Sequence, residues 1–239
     1  MIHLDRAGCR IGSRWVVSDV TLAVPGGEIF GLVGPNGGGK SLLLAMCATL
    51  IRPEAGSLRV GGHDARSEPT RVRRLIGYAP EGIGWHPDLT VSQDLLFFAS
   101  AHDLVRGPRR DAVADALSRW GLRAVAGDPV GRLSRGFLRR LGLARAWVHQ
   151  PRVLLLDEPV SGLDAESRDV LWTELRRHAD GGGSALVASH EVLELARWSH
   201  RIGIVAAGRL GGVMESWRFR QMQPDAIRAT VSARVGSPA

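Results

Sequence analysis

The sequence predicts an α/β fold built on a mainly parallel sheet, and three observations lead to this prediction. The apolar run Ile29–Val33 leads into a glycine-rich loop, and strong helix formers follow from Ser41 to Leu50. After Pro151, short apolar segments alternate with longer helical patterns. Between these regions, from about residue 82 to residue 150, the pattern is helical. Strands that alternate with helices favour a parallel sheet covered by helices, so the middle segment is interpreted as a helical insertion.

The strands before the glycine-rich loop are indicated by alternation and by turn residues. Val16–Val24 alternates loosely between apolar and polar residues, which is typical of a strand with one exposed face. Pro25-Gly26-Gly27 predicts a turn. The residues from Ile29 to Val33 then predict a short buried strand that ends at a glycine.

The later elements are predicted from apolar runs and helix formers that glycine and proline separate. The predicted helices are Asp94–Ser100, Arg109–Trp120, Phe137–Val148, Ala165–Ala179 and Glu191–Ser199. The predicted strands are Val153–Leu156, Ala185–Ala188 and Arg201–Ala206. No internal repeat of the solenoid or propeller type is visible, so one domain with an insertion accounts for the length.

The composition is that of a folded, basic domain. The chain has 239 residues, of which 44% are hydrophobic, and a formal net charge of +7. Such a charge is compatible with nucleic acid, anionic lipid or a nucleotide as the ligand. Lys40 is the only lysine, and every other basic residue is arginine. A coding bias explains the arginines, whereas the retained lysine indicates a site that needs a compact point charge.

Cysteine usage and the apolar runs indicate the compartment. Cys9 and Cys47 form neither a disulfide framework nor a metal-ligand pattern, which favours a reducing environment. The N-terminus is charged and has no apolar signal core. The longest apolar runs, such as Leu42–Ile51, are shorter than the roughly 20 residues of a membrane span. We therefore expect a cytosolic chain, or one that another protein holds at a membrane.

The glycine-rich loop matches the phosphate-binding pattern GxxxxGK[ST] in full. Glycines let backbone N–H groups turn towards phosphate oxygens, and the following helix adds its positive N-terminal end. We expect Lys40 to reach the β- and γ-phosphates of a nucleoside triphosphate and the Ser41 hydroxyl to ligate Mg²⁺. The alternative is a flexible loop that happens to precede a lysine, and the strand–loop–helix context disfavours it. The predicted binding residues are Gly34, Pro35, Asn36, Gly37, Gly38, Gly39, Lys40, Ser41 and Leu42.

Two adjacent carboxylates, Asp157 and Glu158, follow the apolar run Val153–Leu156. A strand that is buried on both faces places them at its C-terminal end, where open α/β sheets bind ligands. Adjacent side chains point in different directions, so the two acids can have separate roles. Asp157 is expected to hold the Mg²⁺ shell and Glu158 to act as the general base on the attacking water. The alternative, a solvated strand end, is disfavoured by the phosphate-binding loop upstream.

Five further segments resemble, in their order and spacing, the nucleotide-binding domains of ABC transporters. They are the signature Leu133–Phe137 with its continuation Arg139–Ala146, the D-loop Pro159–Asp164, the switch-histidine loop Ala188–His190, the Q-loop Ile76–Glu81, and Asp88–Val91 at the start of a helical subdomain. The resemblance covers about residues 1–212, and the ordered set is highly specific.

This resemblance implies a fold and a function. The fold would be a P-loop NTPase core with a mainly parallel sheet, an N-terminal antiparallel β subdomain and a helical subdomain inserted at about residues 82–150. Residues 213–239 would form a short tail with a disordered end. The function would be ATP hydrolysis with ATP and Mg²⁺, driving an exporter for drugs, lipids or polysaccharides. The implied partners are a transmembrane permease and a second nucleotide-binding subunit at the cytoplasmic face of the membrane, without nucleic acid.

The resemblance also assigns roles to single residues. Ser134 and Gly136 would close on the γ-phosphate held by the partner subunit, and Ser161 and Asp164 would contact that partner. His190 would contact the γ-phosphate and hold Glu158 and the water in line. The implied catalytic residues are Lys40, Glu158 and His190, and the implied metal ligands are Ser41, Glu81 and Asp157.

Several positions depart from the family pattern. Ile11 stands where an aromatic residue usually stacks on adenine, so weaker nucleotide binding is expected. Trp15 lies nearby and could replace it, although a buried core role is favoured. Glu81 replaces the usual glutamine. Both side chains can offer an oxygen to Mg²⁺, so we expect the change to be tolerated. Arg135 and Phe137 alter the signature but leave Ser134 and Gly136 in place.

Some interpretations stay open at this point. A non-hydrolysing regulatory subunit is disfavoured by Glu158 and His190, and a soluble ATPase acting on nucleic acid is supported only by the basic charge. The segment Glu81–Leu96 either forms the groove for a helix of the membrane subunit or packs locally. In the tail, Trp217 and Phe219 either pack on the sheet or contact lipid or a partner.

Overall fold

A computed structural model describes residues 1–82, 84–102, 106–222 and 226 of the chain. Its strands are β1 Ile2–Ile11, β2 Arg14–Val24, β3 Ile29–Val33, β4 Ala55–Val60, β5 His63–Asp64, β6 Ile76–Ala79, β7 Val153–Asp157, β8 Ser184–Ala188, β9 Arg201–Ala206 and β10 Arg209–Glu215. Its α-helices are α1 Lys40–Cys47, α2 Pro69–Leu75, α3 Val91–Ala101, α4 Arg106–Arg119, α5 Arg135–Trp147, α6 Ala165–Asp180, α7 Val192–Trp198 and α8 Ser216–Gln221.

The larger sheet has six strands in the order β10-β9-β3-β8-β7-β6. The pairs from β9 to β6 are all parallel, and only β10 runs antiparallel, against β9. Every residue of β3, β7 and β8 is buried, as expected for strands covered on both faces. This arrangement confirms the predicted parallel α/β core, and it places the carboxyl ends of β3, β7 and β8 side by side.

The smaller sheet is antiparallel and has the order β2-β1-β4-β5. It confirms the expected N-terminal β subdomain. Its inward side chains, such as Leu4, Val20 and Leu58, share one hydrophobic core with Phe30 of β3 and Leu43 of α1. Helix α1 is therefore held between the two sheets, which fixes the loop that precedes it.

Helices α3, α4 and α5 form the inserted segment and pack on the opposite face of the larger sheet. Helix α3 begins earlier than predicted because Thr90 and Gln93 form a capping box. Gly77 of β6 allows α5 to approach closely, since a Cβ atom there would lie 1.9 Å from the carbonyl oxygen of Ala146. The insertion is thus packed directly on the edge strand of the core.

The segment after Gly212 is more ordered than the sequence indicated. Strand β10 continues to Glu215 and α8 follows it. Phe219 is fully buried in the core beside α7, whereas Trp217 is 45% exposed. Of the two alternatives for the tail, packing onto the sheet therefore describes Phe219 but not Trp217. The expectation of a disordered end concerns positions outside the described residues. Within the described part of the chain, no helix is long and apolar enough to cross a membrane.

Candidate active site

A cavity of about 350 Å³ opens at the carboxyl ends of the parallel strands. It brings together four segments that the sequence predicted separately: the phosphate-binding loop, the loop after β6, the loop after β7 and the loop after β8. Its lining residues are Asn36, Gly37, Gly38, Gly39, Lys40, Ser41, Leu42, Glu81, Glu158 and His190. Most of the predicted binding residues therefore share one site with Glu81 and with all three predicted catalytic residues, Lys40, Glu158 and His190.

The loop after β3 has a backbone that requires glycine at its first position. Gly34 has φ of 152°, and a Cβ atom there would lie 1.9 Å from the carbonyl oxygen of Val205. At the other end, Gly39 caps α1 without a side-chain hydrogen bond, so the first N–H groups of the helix remain free for an anion. The buried Lys40 ammonium group donates to the carbonyls of Gly34 at 2.8 Å and Pro35 at 3.1 Å.

Asp157 ends β7 as a buried carboxylate next to Ser41. Its Oδ1 atom is buried and has no hydrogen-bond partner among the described residues. Burial raises the pKa of Asp157, and the negative charges of Glu81 and Glu158 add to this effect, while the Ser41 hydrogen bond and the Lys40 charge oppose it. Burial of a carboxylate oxygen without a partner is unfavourable, so this arrangement is expected where the carboxylate binds a cation.

Glu158 and His190 meet because β7 and β8 are neighbours in the sheet. The Nδ1 atom of His190 lies 2.8 Å from the Oε2 atom of Glu158, and the Ser189 hydroxyl lies 3.4 Å from the same oxygen. Glu158 is buried and has φ of 47°, and its N–H donates to the carbonyl of Ala188. Ser189 was not predicted as a site residue, although its place before His190 at the strand end could have indicated it.

The signature and the D-loop lie on a surface outside this cavity. The Ser134 hydroxyl accepts a hydrogen bond from the Phe137 N–H at 3.4 Å and caps α5. A Cβ atom on Gly136 would lie 3.5 Å from the carbonyl of Gly162 in the D-loop, so the two segments are adjacent. Neither Ser134 nor Gly136 lines the cavity.

The rim near the β1–β2 turn corrects one expectation. Trp15 is 41% exposed and Ile11 is 57% exposed, so the favoured buried role for Trp15 is wrong. The turn extends beyond the core, and the guanidinium of Arg10 covers the Trp15 ring at 4.3 Å. Val16, the next residue, lies beside the phosphate-binding loop, since a Cβ atom on Gly39 would be 3.3 Å from its carbonyl.

Known proteins resemble this chain in sequence. The model of a family described as ABC transporter matches residues 17–161. Nod factor export ATP-binding protein I of Burkholderia thailandensis is 38% identical over 87% of this chain and 68% of its own length. Linearmycin resistance ATP-binding protein LnrL of Bacillus subtilis is 31% identical over 88% of this chain and 68% of its own length. These relatives agree with the resemblance to exporter-type subunits.

Solved structures support the fold. An ATP-binding subunit of an ABC transporter superposes with a TM-score of 0.89 at 22% identity, covering 97% of this chain and 99% of that one. A cassette solved as a dimer with ADP and Pi superposes with a TM-score of 0.83 at 23% identity, covering 90% and 99%. The family match extends over most of the chain and includes the phosphate-binding loop, the Asp157–Glu158 pair and the signature. The chain therefore belongs to the ABC transporter family, in which it is an ATP-binding and ATP-hydrolysing subunit.

Proposed function

We propose that the chain hydrolyses ATP in the cavity between the phosphate-binding loop, Glu158 and His190, and that this reaction drives an exporter. The observation that carries the proposal is the convergence of Lys40, Glu158 and His190 on one cavity. The names of the relatives support export, because they describe Nod factor export and linearmycin resistance. A non-hydrolysing subunit is not favoured, because the base and the switch histidine are both present and in contact.

The triphosphate binds along the loop and the N-terminus of α1. The N–H groups of the loop and of the first helical turn surround the β-phosphate, and no side-chain cap competes for them as an acceptor. Lys40 exchanges its hydrogen bonds with the Gly34 and Pro35 carbonyls for the β- and γ-phosphate oxygens. The resting contacts hold the ammonium group in the loop until the nucleotide arrives, so little ordering is required on binding.

Mg²⁺ fits the oxygen atoms at the end of β7. Ser41, Asp157 and Glu81 would hold the ion, and the unpartnered Asp157 Oδ1 is the observation that supports this set. Among the described residues, no group of three or more His, Cys, Asp or Glu side chains could hold a metal alone. Protein sites for Mg²⁺ commonly supply one or two carboxylates and leave the rest to phosphate and water. When bound, Mg²⁺ neutralises charge on the phosphate oxygens.

In the hydrolytic step, Glu158 accepts a proton from the attacking water. The water oxygen bonds to the γ-phosphorus while the bond to the β–γ bridging oxygen breaks, and ADP leaves with that oxygen. His190 donates from Nδ1 to Glu158, which fixes its ring and turns Nε2 towards the γ-phosphate. Lys40 supports the charge that develops on the transferred group.

The surface position of the signature supports a paired arrangement. Ser134 and Asp164 are exposed, and Gly136 is adjacent to the D-loop, away from the subunit's own cavity. In a head-to-tail pair, the α5 N-terminus of one subunit would complete the phosphate site of the other. The similar cassette that was solved as a dimer is consistent with such pairing.

A second cavity, of about 360 Å³, supports attachment to a membrane-spanning partner at the cytoplasmic face of the membrane. It lies between β6, α3 and α5, and Leu50, Tyr78 and Phe98 contribute apolar surface to it. A short helix of the partner would lie in this groove. Trp85 packs on Arg145 at 4.3 Å, so local packing accounts for this side chain.

The test compares steady-state ATP hydrolysis by the native chain and by Glu158→Gln, together with its membrane partner. Glu215→Gln, on the exposed end of β10, is the matched control for the same chemical change. We expect Glu158→Gln to be inert and to accumulate as an ATP-bound dimer, while Glu215→Gln behaves as the native chain. Equal hydrolysis by Glu158→Gln would overturn the assignment of the base, and no hydrolysis by the native chain would favour a regulatory subunit.

A further inference from the structure

Helix α5 carries a buried arginine whose guanidinium group binds two catalytic loops at once. Nε of Arg139 donates to the carbonyl of Pro159 at 3.2 Å, and Nη1 donates to the carbonyl of Pro80 at 3.0 Å. Nη2 donates to the carbonyls of Asp157 and Glu158, each at 2.6 Å. All four acceptors are main-chain oxygens: one belongs to the last residue of β7, two belong to the residues that follow it, and one belongs to the residue before Glu81. We propose that Arg139 is a positioning residue that holds the Glu158 turn and the Glu81 loop in the arrangement required for hydrolysis.

The turn that Arg139 binds has an unfavourable backbone. Glu158 has φ of 47°, in the left-handed region that residues with a side chain rarely adopt. Such a conformation persists only where surrounding contacts fix it. Here the carbonyls before, at and after the strained position all accept from one guanidinium group, and the N–H of Glu158 donates to Ala188. The direction of the Glu158 side chain therefore depends on Arg139.

The charge of Arg139 matches its surroundings. The guanidinium group is buried, and burial lowers its pKa, while the nearby charges of Asp157, Glu81 and Glu158 raise it. These are the metal ligands and the base of the proposed site. Because the group bonds to carbonyls and to none of these carboxylates, the carboxylate oxygens remain available for the ion and the water. An ion pair between Arg139 and one of these carboxylates would not hold the main chain of the turn.

The guanidinium shape is essential to this arrangement. It offers five N–H donors in one plane, which can reach four carbonyls from two loops. A lysine at the same position has three donors on a single nitrogen atom and cannot span both loops. Arg139 also lies on the helix that Ser134 begins, so any shift of that helix is transmitted to the base.

The test measures turnover, nucleotide affinity and unfolding of Arg139→Lys in the complex with the membrane partner. It rests on the proposed role of Glu158, so Glu158→Gln is assayed in parallel. We expect kcat to fall by about 10-fold or more, while the Kd for a fluorescent ATP analogue stays within about three-fold, because Arg139 does not contact the phosphate-binding loop. Arg119→Lys is the matched control, since Arg119 also joins the insertion to the core, through Glu174, but contacts no catalytic loop. Its kcat should stay within about two-fold of the native value.

Two further measurements separate positioning from general stability. In the Glu158→Gln background, adding Arg139→Lys should leave the accumulation of the ATP-bound dimer unchanged. Added guanidinium ion should partly restore kcat of Arg139→Ala at concentrations that leave the native kcat unchanged. Unchanged kcat in folded Arg139→Lys, or equal losses of kcat and affinity, would overturn the inference. So would failure of both Arg139 variants to fold, which would assign Arg139 to folding. If Glu158→Gln keeps native turnover, the proposed function itself fails.

Discussion

The Nδ1 atom of His190 lies 2.8 Å from the Oε2 atom of Glu158, across the gap between two parallel strands. The sheet order places β7 beside β8, so the residues that follow each strand face each other. His190 remains 61% exposed at its side chain, whereas Glu158 is 7% exposed. The pair is therefore open towards the nucleotide on the histidine side and enclosed on the carboxylate side.

We predict that His190→Gln lowers kcat by about 100-fold, within the range for loss of one acid–base or charge-stabilising group. Glutamine can still donate to Glu158, but it cannot present the second ring nitrogen to the γ-phosphate. Steady-state hydrolysis at saturating ATP measures this loss. The control is His63→Gln, which changes a histidine of β5 that is paired with Glu68 at 3.3 Å. A His190→Gln variant with native turnover would remove the histidine from the mechanism.

A second prediction concerns the cost of the buried Asp157. Because burial raises its pKa, the folded state is penalised when this group ionises, and the penalty grows as the pH rises through the folded-state pKa. We expect Asp157→Asn to raise the thermal unfolding midpoint of the nucleotide-free chain at neutral pH. The same change should lower Mg²⁺-dependent hydrolysis by about 100-fold or more. Calorimetry with and without Mg²⁺-ATP provides the measurement, and a lower midpoint without nucleotide would contradict the prediction.

The parts of the fold that the sequence predicted best are those with uninterrupted local patterns. Ile29–Val33 and Arg201–Ala206 have the predicted bounds, because each is an apolar run that glycine or a charged residue limits. The phosphate-binding loop was predicted residue by residue, because its spacing is dictated by the shape of a triphosphate. Such signals depend mainly on neighbours in sequence, and here the tertiary contacts agree with them.

The remaining elements depend on contacts between distant residues. β4, β5, α2 and β6 were not predicted as elements; β4 is held by pairing with β1, and β5 has only two residues. In the sequence, nothing distinguishes Arg139 from an arginine that faces solvent. Its burial depends on the packing of α5 against the loops that contain Pro80 and Pro159. A buried role was favoured for Trp15, but the turn that carries it extends beyond the core.

A third prediction concerns adenine binding at the rim. Ile11 is paired with Arg14 across the β1–β2 turn, and Val16, two residues after Arg14 on β2, lies beside the phosphate-binding loop. Ile11→Tyr should tighten ATP binding by about 2- to 10-fold, the range expected for one aromatic stacking contact. Titration calorimetry with ATP measures the effect, and Ile11→Val is the matched control. Unchanged affinity in Ile11→Tyr combined with weaker binding in Trp15→Ala would show that Trp15 already stacks on the base.

The last prediction concerns His149, which follows α5 and packs against β6. Its Nε2 lies 2.9 Å from the carbonyl of Ile76, its ring stacks on His102 with centroids 3.5 Å apart, and its buried Nδ1 has no partner among the described residues. Burial, followed by the nearby His102, lowers the pKa of His149 from 6.5 to about 4. A proton added at Nδ1 would therefore place a charge in a buried site where the described residues offer that proton no acceptor.

The sign of the resulting pH dependence follows from this lowered pKa. Below pH 6.5 the unfolded chain binds a proton at His149, whereas the folded chain binds it only near pH 4. The stability that His149 contributes is therefore present above pH 6.5 and is lost as the pH falls. At about 1.4 kcal/mol per pKa unit, the free energy of unfolding should fall by about 2 kcal/mol between pH 7 and pH 5 on account of this residue. His149→Gln can keep the bond to Ile76 but cannot take up a proton, so its loss over the same interval should be smaller by that amount. Urea unfolding at both pH values measures the difference, with His63→Gln as the control for a half-buried histidine that is paired with a carboxylate. If the free energy of unfolding falls equally between pH 7 and pH 5 in the native chain and in His149→Gln, the buried ring does not cause the acid sensitivity of the fold.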